Sequence, residues 1–372
     1  MQKIAIVSPR LPMGGALGGA ETLLLNLAKL AVEGGADVTF LTTCSTNCDG
    51  KWPNDMPAGE SVYEGLKVIR FPVDVLAQYR TLGDVNSQAL LDHIRKVPYD
   101  RFVTGPYLFG LVMSVAALAP DRTILVPCVH DEFDARLPAV REMFRKVRGF
   151  CFNTEPERDL AAKLYGPEIL SPTRACGVVG FAQPDFPSDP EAGRKLAGTD
   201  EPYIIYCGRR DPMKGTPTVI SYWVAYRERH PDLDLKLVLT GVGNIDVPEG
   251  YRQYVIDLGD VADPQKRHDL MAGAVAFCHA SVHESLSIVL LESWLAHRPV
   301  LVNANGVVLR ELTKKANGGL WFRDFVDFHE CLEVLLNNPK LADALGESGR
   351  AFTLAEYSPE AVRRRFLETL AR

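Results

Sequence analysis

Short apolar stretches alternate with longer amphipathic stretches from one end of the chain to the other. Residues 3–8 and 37–42 are rich in apolar and β-branched residues and predict strands, and residues 21–33 between them predict a helix. Residues 44–63, rich in Asn, Asp, Gly and Pro, predict a loop. Further strands of this first half are predicted near residues 67–71, 101–104, 122–128 and 149–153. Strands that alternate with helices in this way are typical of a parallel α/β sheet.

The alternation is interrupted at residues 181–200, where proline and polar residues are concentrated as they are in linkers. It then restarts, with strands predicted at 203–207, 235–240, 254–258, 275–279 and 299–303, and helices at 217–229, 263–272, 287–297, 327–336 and 360–371. The pattern predicts two Rossmann-like, doubly wound domains, at residues 1–180 and 201–355. A C-terminal helix within residues 356–372 is expected to pack back on the first domain.

The composition narrows the range of functions. A length of 372 residues suits two domains, and 47% apolar residues are enough for two cores. The net charge of -6 argues against a dedicated nucleic-acid surface. No apolar run is long enough for a signal peptide or a membrane span. The eight cysteines lack Cys-x-x-Cys spacing and suit a reducing compartment, so we expect a cytoplasmic protein.

Four glycines precede the first predicted helix, namely Gly14, Gly15, Gly18 and Gly19. Because glycine has no side chain, backbone amides in such a loop can approach an anion closely at the start of a helix. The spacing differs from the G-x-G-x-x-G motif, and the second strand lacks the acidic residue that a nicotinamide ribose needs. A flexible, tightly packed turn is the alternative interpretation.

Residues 208–215 read Gly-Arg-Arg-Asp-Pro-Met-Lys-Gly and directly follow a predicted strand. Ligands of open α/β sheets bind beyond the carboxyl ends of the strands, so these cations are expected to face a central cleft between the two domains. Arg209 can bind phosphate oxygens with two parallel hydrogen bonds, and Lys214 adds a compact positive charge. Together they suit a diphosphate, whereas a single basic turn is more often merely solvated.

Residues 283–294 carry a second, complementary pattern. Ser287 leads into an apolar helix, whose dipole and first-turn amides, at Ile288 and Val289, can bind an anion. Glu284 precedes this helix and Glu292 lies within it. Carboxylates beside a phosphate site need neutral hydrogen-bond donors, and sugar hydroxyls are such donors. Either glutamate alone would instead be interpreted as an exposed helix charge.

Taken together, these motifs resemble the retaining GT-B glycosyltransferases of family four. The resemblance rests on Glu-x7-Glu at Glu284 and Glu292, on Gly-Arg-x4-Lys-Gly at residues 208–215, and on Gly-Gly-Ala-Glu at residues 18–21. Residues 127–131, Pro-Cys-Val-His-Asp, are similar to the strand-end His-Asp of that family. The resemblance covers nearly the whole chain. It implies a GT-B fold and transfer of a sugar from a UDP- or GDP-sugar to a hydroxyl acceptor, with retention at the anomeric carbon.

The resemblance also implies roles for individual residues. It places Gly18 and Gly19 against the phosphate or sugar of the donor, and His130 over the donor sugar. The cations neutralise the leaving diphosphate, and the two glutamates meet sugar and ribose hydroxyls. The catalytic residues implied are His130, Arg209, Lys214 and Glu284. The donor-binding residues implied are Gly18, Gly19, Arg209, Lys214, Glu284, Ser287, Ile288, Val289 and Glu292.

The sequence departs from the family pattern at two places. The usual Glu-Gly-x-Gly is Glu-Ser-Leu-Ser at residues 284–287, which leaves the sugar preference open. The usual interdomain Asn-Gly is replaced by Gly-Val-Val-Gly at residues 177–180. Polysaccharide, glycolipid and natural-product acceptors all fit.

No cofactor and no metal are expected beyond the donor co-substrate, because the only Asp-x-Asp, at residues 232–234, precedes a predicted strand. The basic segment 141–148 can touch an anionic membrane weakly, although a solvated helix face is the simpler interpretation. The alternatives to a glycosyltransferase are a sugar-nucleotide epimerase or hydrolase of the same fold, and a sugar-nucleotide-binding protein without catalytic activity.

Overall fold

The computed structural model describes residues 1–11, 18–46, 52–75 and 85–372 of the chain. Its internal contacts divide it into two compact units. The N-terminal unit comprises Met1–Ala182 together with Pro359–Arg372, and the C-terminal unit comprises Gln183–Ser358. Each unit has its own sheet and its own buried apolar cluster.

The N-terminal unit is built on a mostly parallel sheet. Its strands are β1 (Lys3–Val7), β2 (Asp37–Thr43), β3 (Gly59–Tyr63), β4 (Leu66–Phe71), β5 (Asp74–Val75), β6 (Val85–Asn86), β7 (Arg101–Thr104), β8 (Thr123–Leu125), β9 (Gly149–Phe152) and β10 (Ala175–Val178). Eight of them form one sheet in the order β10-β9-β8-β7-β1-β2-β4-β3, and β5 pairs with β6. The helices α1 (Gly19–Glu33), α2 (Gln88–Lys96), α3 (Gly110–Leu118), α4 (Pro138–Lys146) and α5 (Glu155–Tyr165) connect the strands.

The prediction of a loop at residues 44–63 is wrong for its last part, which forms strand β3. This strand pairs antiparallel with β4, and Glu64 and Gly65 connect the two. Both connecting residues have positive φ, 48° and 81°, as a type I′ turn requires. The polar composition predicted a loop because β3 is an edge strand whose side chains are mostly solvent-facing.

The C-terminal unit has a fully parallel sheet in the order β13-β12-β11-β14-β15-β16. Its strands are β11 (Tyr203–Cys207), β12 (Lys236–Thr240), β13 (Val255–Asp257), β14 (Ala276–His279), β15 (Val300–Asn303) and β16 (Gly319–Phe322). Its helices are α6 (Pro190–Ala197), α7 (Thr216–Arg229), α8 (Pro264–Gly273), α9 (Ile288–Leu295), α10 (Val307–Ala316), α11 (Phe325–Asn337) and α12 (Pro339–Glu356). The strands β11, β14 and β15 are buried throughout, as expected for strands covered on both faces.

The segment predicted to be a linker, residues 181–200, contains the helix α6. Asp189 caps this helix by accepting hydrogen bonds from the amides of Glu191 and Ala192. The helix packs on α8 so closely that a side chain at Gly193 would collide with the backbone carbonyl of Asp269. Tertiary packing therefore stabilises a helix in a stretch whose prolines and polar residues indicated a linker.

The last helix, α13 (Pro359–Ala371), belongs to the N-terminal unit. It packs on α1 and β10. Arg363 Nη1 lies 3.2 Å from Glu33 Oε2, and Arg365 Nη2 donates to the carbonyl of Val179 at 3.0 Å. The chain thus returns to its first unit after completing the second.

Candidate functional site

The loops that follow β11 and β14 come together at the carboxyl edge of the C-terminal sheet. The loop after β11 includes a short helical turn, Pro212–Lys214, which ends at Gly215 with φ of 73°. A side chain at Gly215 would collide with the carbonyl of Ala280, so glycine is required there both by conformation and by space. This close approach brings the two loops into contact.

The contact joins two of the residues predicted from the sequence. Lys214 Nζ lies 2.7 Å from Glu284 Oε1, although the two residues are 70 positions apart in the chain. The Glu284 side chain is 10% exposed and that of Lys214 is 31% exposed. A cation and a carboxylate thus lie side by side where ligands of such sheets bind.

A third group, His279, was not identified from the sequence. It is the last residue of β14, is buried, and places Nε2 3.3 Å from Glu284 Oε1. Burial favours a raised pKa for Glu284, but the hydrogen bond from His279 and the charge of Lys214 outweigh it and lower the pKa to about 2. Glu284 is therefore an ionised acceptor. The available signal was a histidine at the carboxyl end of a predicted strand.

The two arginines of residues 208–215 have different environments. Arg209 has an exposed side chain, with Nε 3.4 Å from Asp211 Oδ2. Arg210 is buried, and its Nη1 donates to Asp257 Oδ2 at 2.9 Å. Arg210 therefore ties the loop after β11 to β13, and Arg209 is the one with a guanidinium accessible to a ligand.

Glu292 lies in α9 and contacts two side chains of α8, those of Arg267 and His268. Arg267 Nη2 is 3.0 Å from Glu292 Oε1, and His268 Nε2 is 3.8 Å from the same oxygen. Burial would raise the pKa of Glu292, but the hydrogen bond from His268 and the charge of Arg267 lower it below its ordinary value. Arg267 and His268 were not predicted from the sequence, because helix α8 follows a different strand from α9.

Ser287 caps the N-terminus of α9. Its Oγ accepts a hydrogen bond from the amide of Leu290 at 3.3 Å, so that the helix begins at Ile288. The amides of Ile288 and Val289 belong to the first turn, where the positive end of the helix dipole lies. The helix thus starts four residues after Glu284, and its capping residue is the serine predicted from the sequence.

The remaining predicted residues lie in the N-terminal unit. Gly18 precedes α1, and a side chain there would collide with Glu21, whose Oε1 is 2.6 Å from Arg10 Nε. Gly19 has open space around it. His130 Nδ1 lies 3.6 Å from Glu132 Oε1. Gly14 and Gly15, also named from the sequence, lie outside the described residues.

A buried carboxyl group holds the backbone next to His130. Glu157, in the first turn of α5, accepts hydrogen bonds from the amide of Val129 at 2.9 Å and from the amide of Asn153 at 2.6 Å. Burial raises the pKa of Glu157 to about 8, although these amides favour the ionised form. Glu157 therefore connects the loops that follow β8 and β9, and thereby supports the backbone that carries His130.

This raised pKa predicts a pH-dependent stability. The folded protein binds the Glu157 proton more tightly than the unfolded chain does. The contribution of protonated Glu157 to stability is therefore complete below about pH 4.5 and is lost as the pH rises through about 8. Between these two pH values, the free energy of unfolding should fall by up to roughly 1.4 kcal/mol for each unit of pH increase. Urea titrations of wild type and Glu157→Gln across pH 5–8.5 should show this slope in the wild type only.

A matched control is Glu155→Gln, which changes an exposed carboxylate at the start of the same helix. It should keep the slope of the wild type. A slope that persists in Glu157→Gln would assign the effect to another group.

Two features of the described residues bear on the expected membrane and metal partners. No helix among them is both long enough and apolar enough to cross a bilayer. Within the same part of the chain, no three side chains of histidine, cysteine, aspartate or glutamate are grouped as ligands of one metal ion.

The chain is similar to known proteins both over part of its C-terminal unit and over nearly its whole length. Residues 201–338 match the family model described as "Glycosyl transferases group 1". Over 97% of its length the chain is 25% identical to D-inositol 3-phosphate glycosyltransferase of Kribbella flavida, of which it covers 93%.

The fold is similar to that of two solved GT-B structures. Sucrose-phosphate synthase of Thermosynechococcus elongatus superposes with a TM-score of 0.73 and 17% identity, covering 99% of this chain and 98% of that one. The Anabaena protein HepE in complex with UDP-glucose superposes with a TM-score of 0.72 and 16% identity over the full length of both chains. The predicted GT-B class, with two Rossmann-like α/β sheets, is confirmed.

Proposed function

We propose that this chain, a GT-B glycosyltransferase with a group 1 domain at residues 201–338, transfers a sugar from a nucleoside diphosphate sugar to a hydroxyl acceptor with retention at the anomeric carbon. The observation that carries the proposal is the direct contact of Lys214 with Glu284 at 2.7 Å inside that domain. A cation for the diphosphate and a carboxylate for sugar hydroxyls are the two groups that the donor requires.

The proposed chemistry is electrostatic. As the bond between the anomeric carbon and the diphosphate breaks, negative charge develops on the departing phosphate oxygen. Lys214, Arg209 and the first turn of α9 stabilise that charge. The acceptor hydroxyl attacks from the same face and passes its proton to the leaving phosphate. This front-face route follows from the family resemblance.

In this proposal the two glutamates bind different parts of the donor. Glu284 accepts hydrogen bonds from sugar hydroxyls, and Glu292 accepts them from the ribose. Both carboxylates have lowered pKa values, so both are ionised acceptors at neutral pH. The roles of Gly18, Gly19 and His130 toward the donor stay predictions from the resemblance.

The donor is proposed to be a UDP- or GDP-sugar. Uridine is supported by the similarity to HepE, which was solved with UDP-glucose. The acceptor is proposed to be a polysaccharide, a glycolipid or a natural product. The described cysteines are all free, which supports a cytoplasmic location.

Helix α4 supports a weak, peripheral contact with an anionic membrane that carries a lipid-linked acceptor. Arg141, Arg145 and Lys146 are exposed along it, and Phe133 just before it is 79% exposed. Exposed cations and exposed aromatic rings are both groups that a membrane surface attracts. A solvated helix face is the alternative, and sedimentation with anionic vesicles would separate the two.

Thermal unfolding in the presence of UDP, GDP, ADP and the corresponding sugar nucleotides tests the proposal. A ligand at 100 times its Kd should stabilise the native state by about 2.7 kcal/mol. Analysis of the products then decides the reaction. Transfer with a retained anomeric configuration is expected. An isomerised donor indicates an epimerase, free sugar indicates a hydrolase, and binding without turnover indicates a non-catalytic binding protein.

We further expect the reaction to be independent of metal ions. Lys214 and Arg209 already supply positive charge for the diphosphate, which is the role that a divalent cation would have. Release of nucleoside diphosphate should therefore be the same with EDTA as with Mg²⁺ or Mn²⁺. Loss of turnover in EDTA that either ion restores would show that these two side chains are not sufficient.

A further inference from the structure

His279 is buried and contacts Glu284. Its side chain is 6% exposed, and its ring packs against the rings of Tyr206 and Phe277, with centroids 6.4 Å and 5.4 Å away. Nε2 faces Glu284 Oε1 at 3.3 Å. Nδ1 is buried and has no hydrogen-bond partner among the residues that the structure describes. The ring is thus fixed by packing, and the Glu284 carboxylate is its polar contact.

One oxygen of Glu284 is shared by two donors of different mobility. Lys214 reaches Oε1 with a flexible four-carbon chain that is 31% exposed, whereas the ring of His279 is enclosed on the strand. A diphosphate carries more negative charge than a carboxylate and attracts the mobile ammonium more strongly. When Lys214 moves to the diphosphate, Glu284 therefore loses one donor and keeps the other.

We propose that His279 is a positioning residue, which holds the Glu284 carboxylate in place for the donor sugar while Lys214 engages the diphosphate. This inference rests on the proposed function, because it requires that a sugar nucleotide binds at Lys214 and Glu284. It adds a residue that neither the sequence motifs nor the contact between Lys214 and Glu284 identified. His279 acts through Glu284 and need not touch the donor.

The electrostatics of the pair support this role. Burial favours the protonated form of Glu284, and the largest effect that opposes it is the hydrogen bond from His279, followed by the charge of Lys214. The titratable groups that face Glu284 are Lys214, His279 and Tyr206, and burial raises the pKa of the Tyr206 hydroxyl to about 12. Without His279, the pKa of Glu284 should rise, and the carboxylate should be protonated at a pH where it is now ionised.

The test compares His279→Gln with His279→Leu. The amide nitrogen of glutamine can take the place of Nε2 and donate to Glu284, whereas leucine fills the space without a donor. Calorimetry would measure the affinities of both variants and of wild type for UDP and UDP-glucose, and for GDP and GDP-mannose, between pH 5 and 8. Thermal unfolding without ligand would report whether each variant is folded.

For the pair that wild type binds, His279→Leu should bind the nucleoside diphosphate normally and the sugar nucleotide about tenfold more weakly. The loss of sugar-nucleotide affinity in His279→Leu should grow as the pH falls. His279→Gln should bind the sugar nucleotide nearly as tightly as wild type does. If both variants had the same affinities, or if the affinities for nucleoside diphosphate and sugar nucleotide fell together at every pH, His279 would contribute only packing and the proposal would be wrong. If wild type bound none of the four ligands, the proposed function itself would fail, and this inference with it.

Discussion

Replacing Lys214 with alanine is expected to lower kcat by about 10²–10³-fold, which is the loss typical when one fixed donor to a developing negative charge is removed. The Lys214 ammonium lies 2.7 Å from Glu284 and is the compact positive charge at the end of the loop after β11. The donor sugar should still bind, because Glu284 and Glu292 are unchanged. Release of nucleoside diphosphate from the donor, with and without acceptor, measures the effect.

A matched control for this substitution is Lys236→Ala. Lys236 also pairs with a carboxylate at 2.7 Å, that of Asp234, and it lies in the same unit. It stands at the first residue of β12, however, and thus at the edge of the parallel sheet opposite the ligand-binding edge. Turnover by Lys236→Ala should equal that of wild type. Equal and small losses in both variants would mean that Lys214 does not act on the leaving group.

Substitutions of Glu292 and Glu284 are expected to weaken the binding of different ligands. Glu292→Gln should weaken binding of the free nucleoside diphosphate and of the intact donor alike, because Glu292 is assigned to the ribose that both ligands contain. A hydrogen bond to a charged group is worth about 1.5–3 kcal/mol, so the loss should be roughly ten- to a hundredfold. Glutamine can still accept from Arg267, which keeps the contact between α9 and α8. Calorimetric titration with both ligands resolves this range.

Glu284→Gln should behave differently under the same titrations. Its loss should be confined to the sugar nucleotide and to turnover, because Glu284 is assigned to the sugar alone. Affinity for the free diphosphate should not fall, since a neutral glutamine attracts the Lys214 ammonium less strongly than the carboxylate that it now contacts at 2.7 Å. Each variant serves as the control for the other. The same pattern of losses in both, or no loss in either, would mean that the two carboxylates have been assigned to the wrong parts of the donor.

The fold was largely predictable because strand and helix patterns alternate regularly along the chain. Strand β11, for example, is a continuous run of apolar and aromatic residues, which identifies a buried parallel strand. The helices α6, α10 and α12 were not predicted. The polar, proline-containing sequence of α6 resembles a linker, and it is helical because it packs on α8. Local composition does not report such tertiary stabilisation.

The site was predictable only where residues close in sequence also act together. Ser287 and the start of α9 follow from a capping residue before an apolar run. By contrast, the residue types in 208–215 do not distinguish Arg209 from Arg210, and only the resemblance to the family motif favoured Arg209. Their difference arises because Arg210 turns toward Asp257, 47 positions later, and is buried by that pairing.

The α/β alternation, the residue types that suit a diphosphate sugar and the helix start at Ser287 could be predicted from the sequence, because they depend on periodicity and on neighbouring residues. The donors that contact each carboxylate depend on tertiary packing and are visible only in the folded structure. His279 and Lys214 reach Glu284 from different elements, and Arg267 and His268 reach Glu292 from the adjacent helix. These partners set the protonation of both glutamates, since burial alone would favour the neutral form.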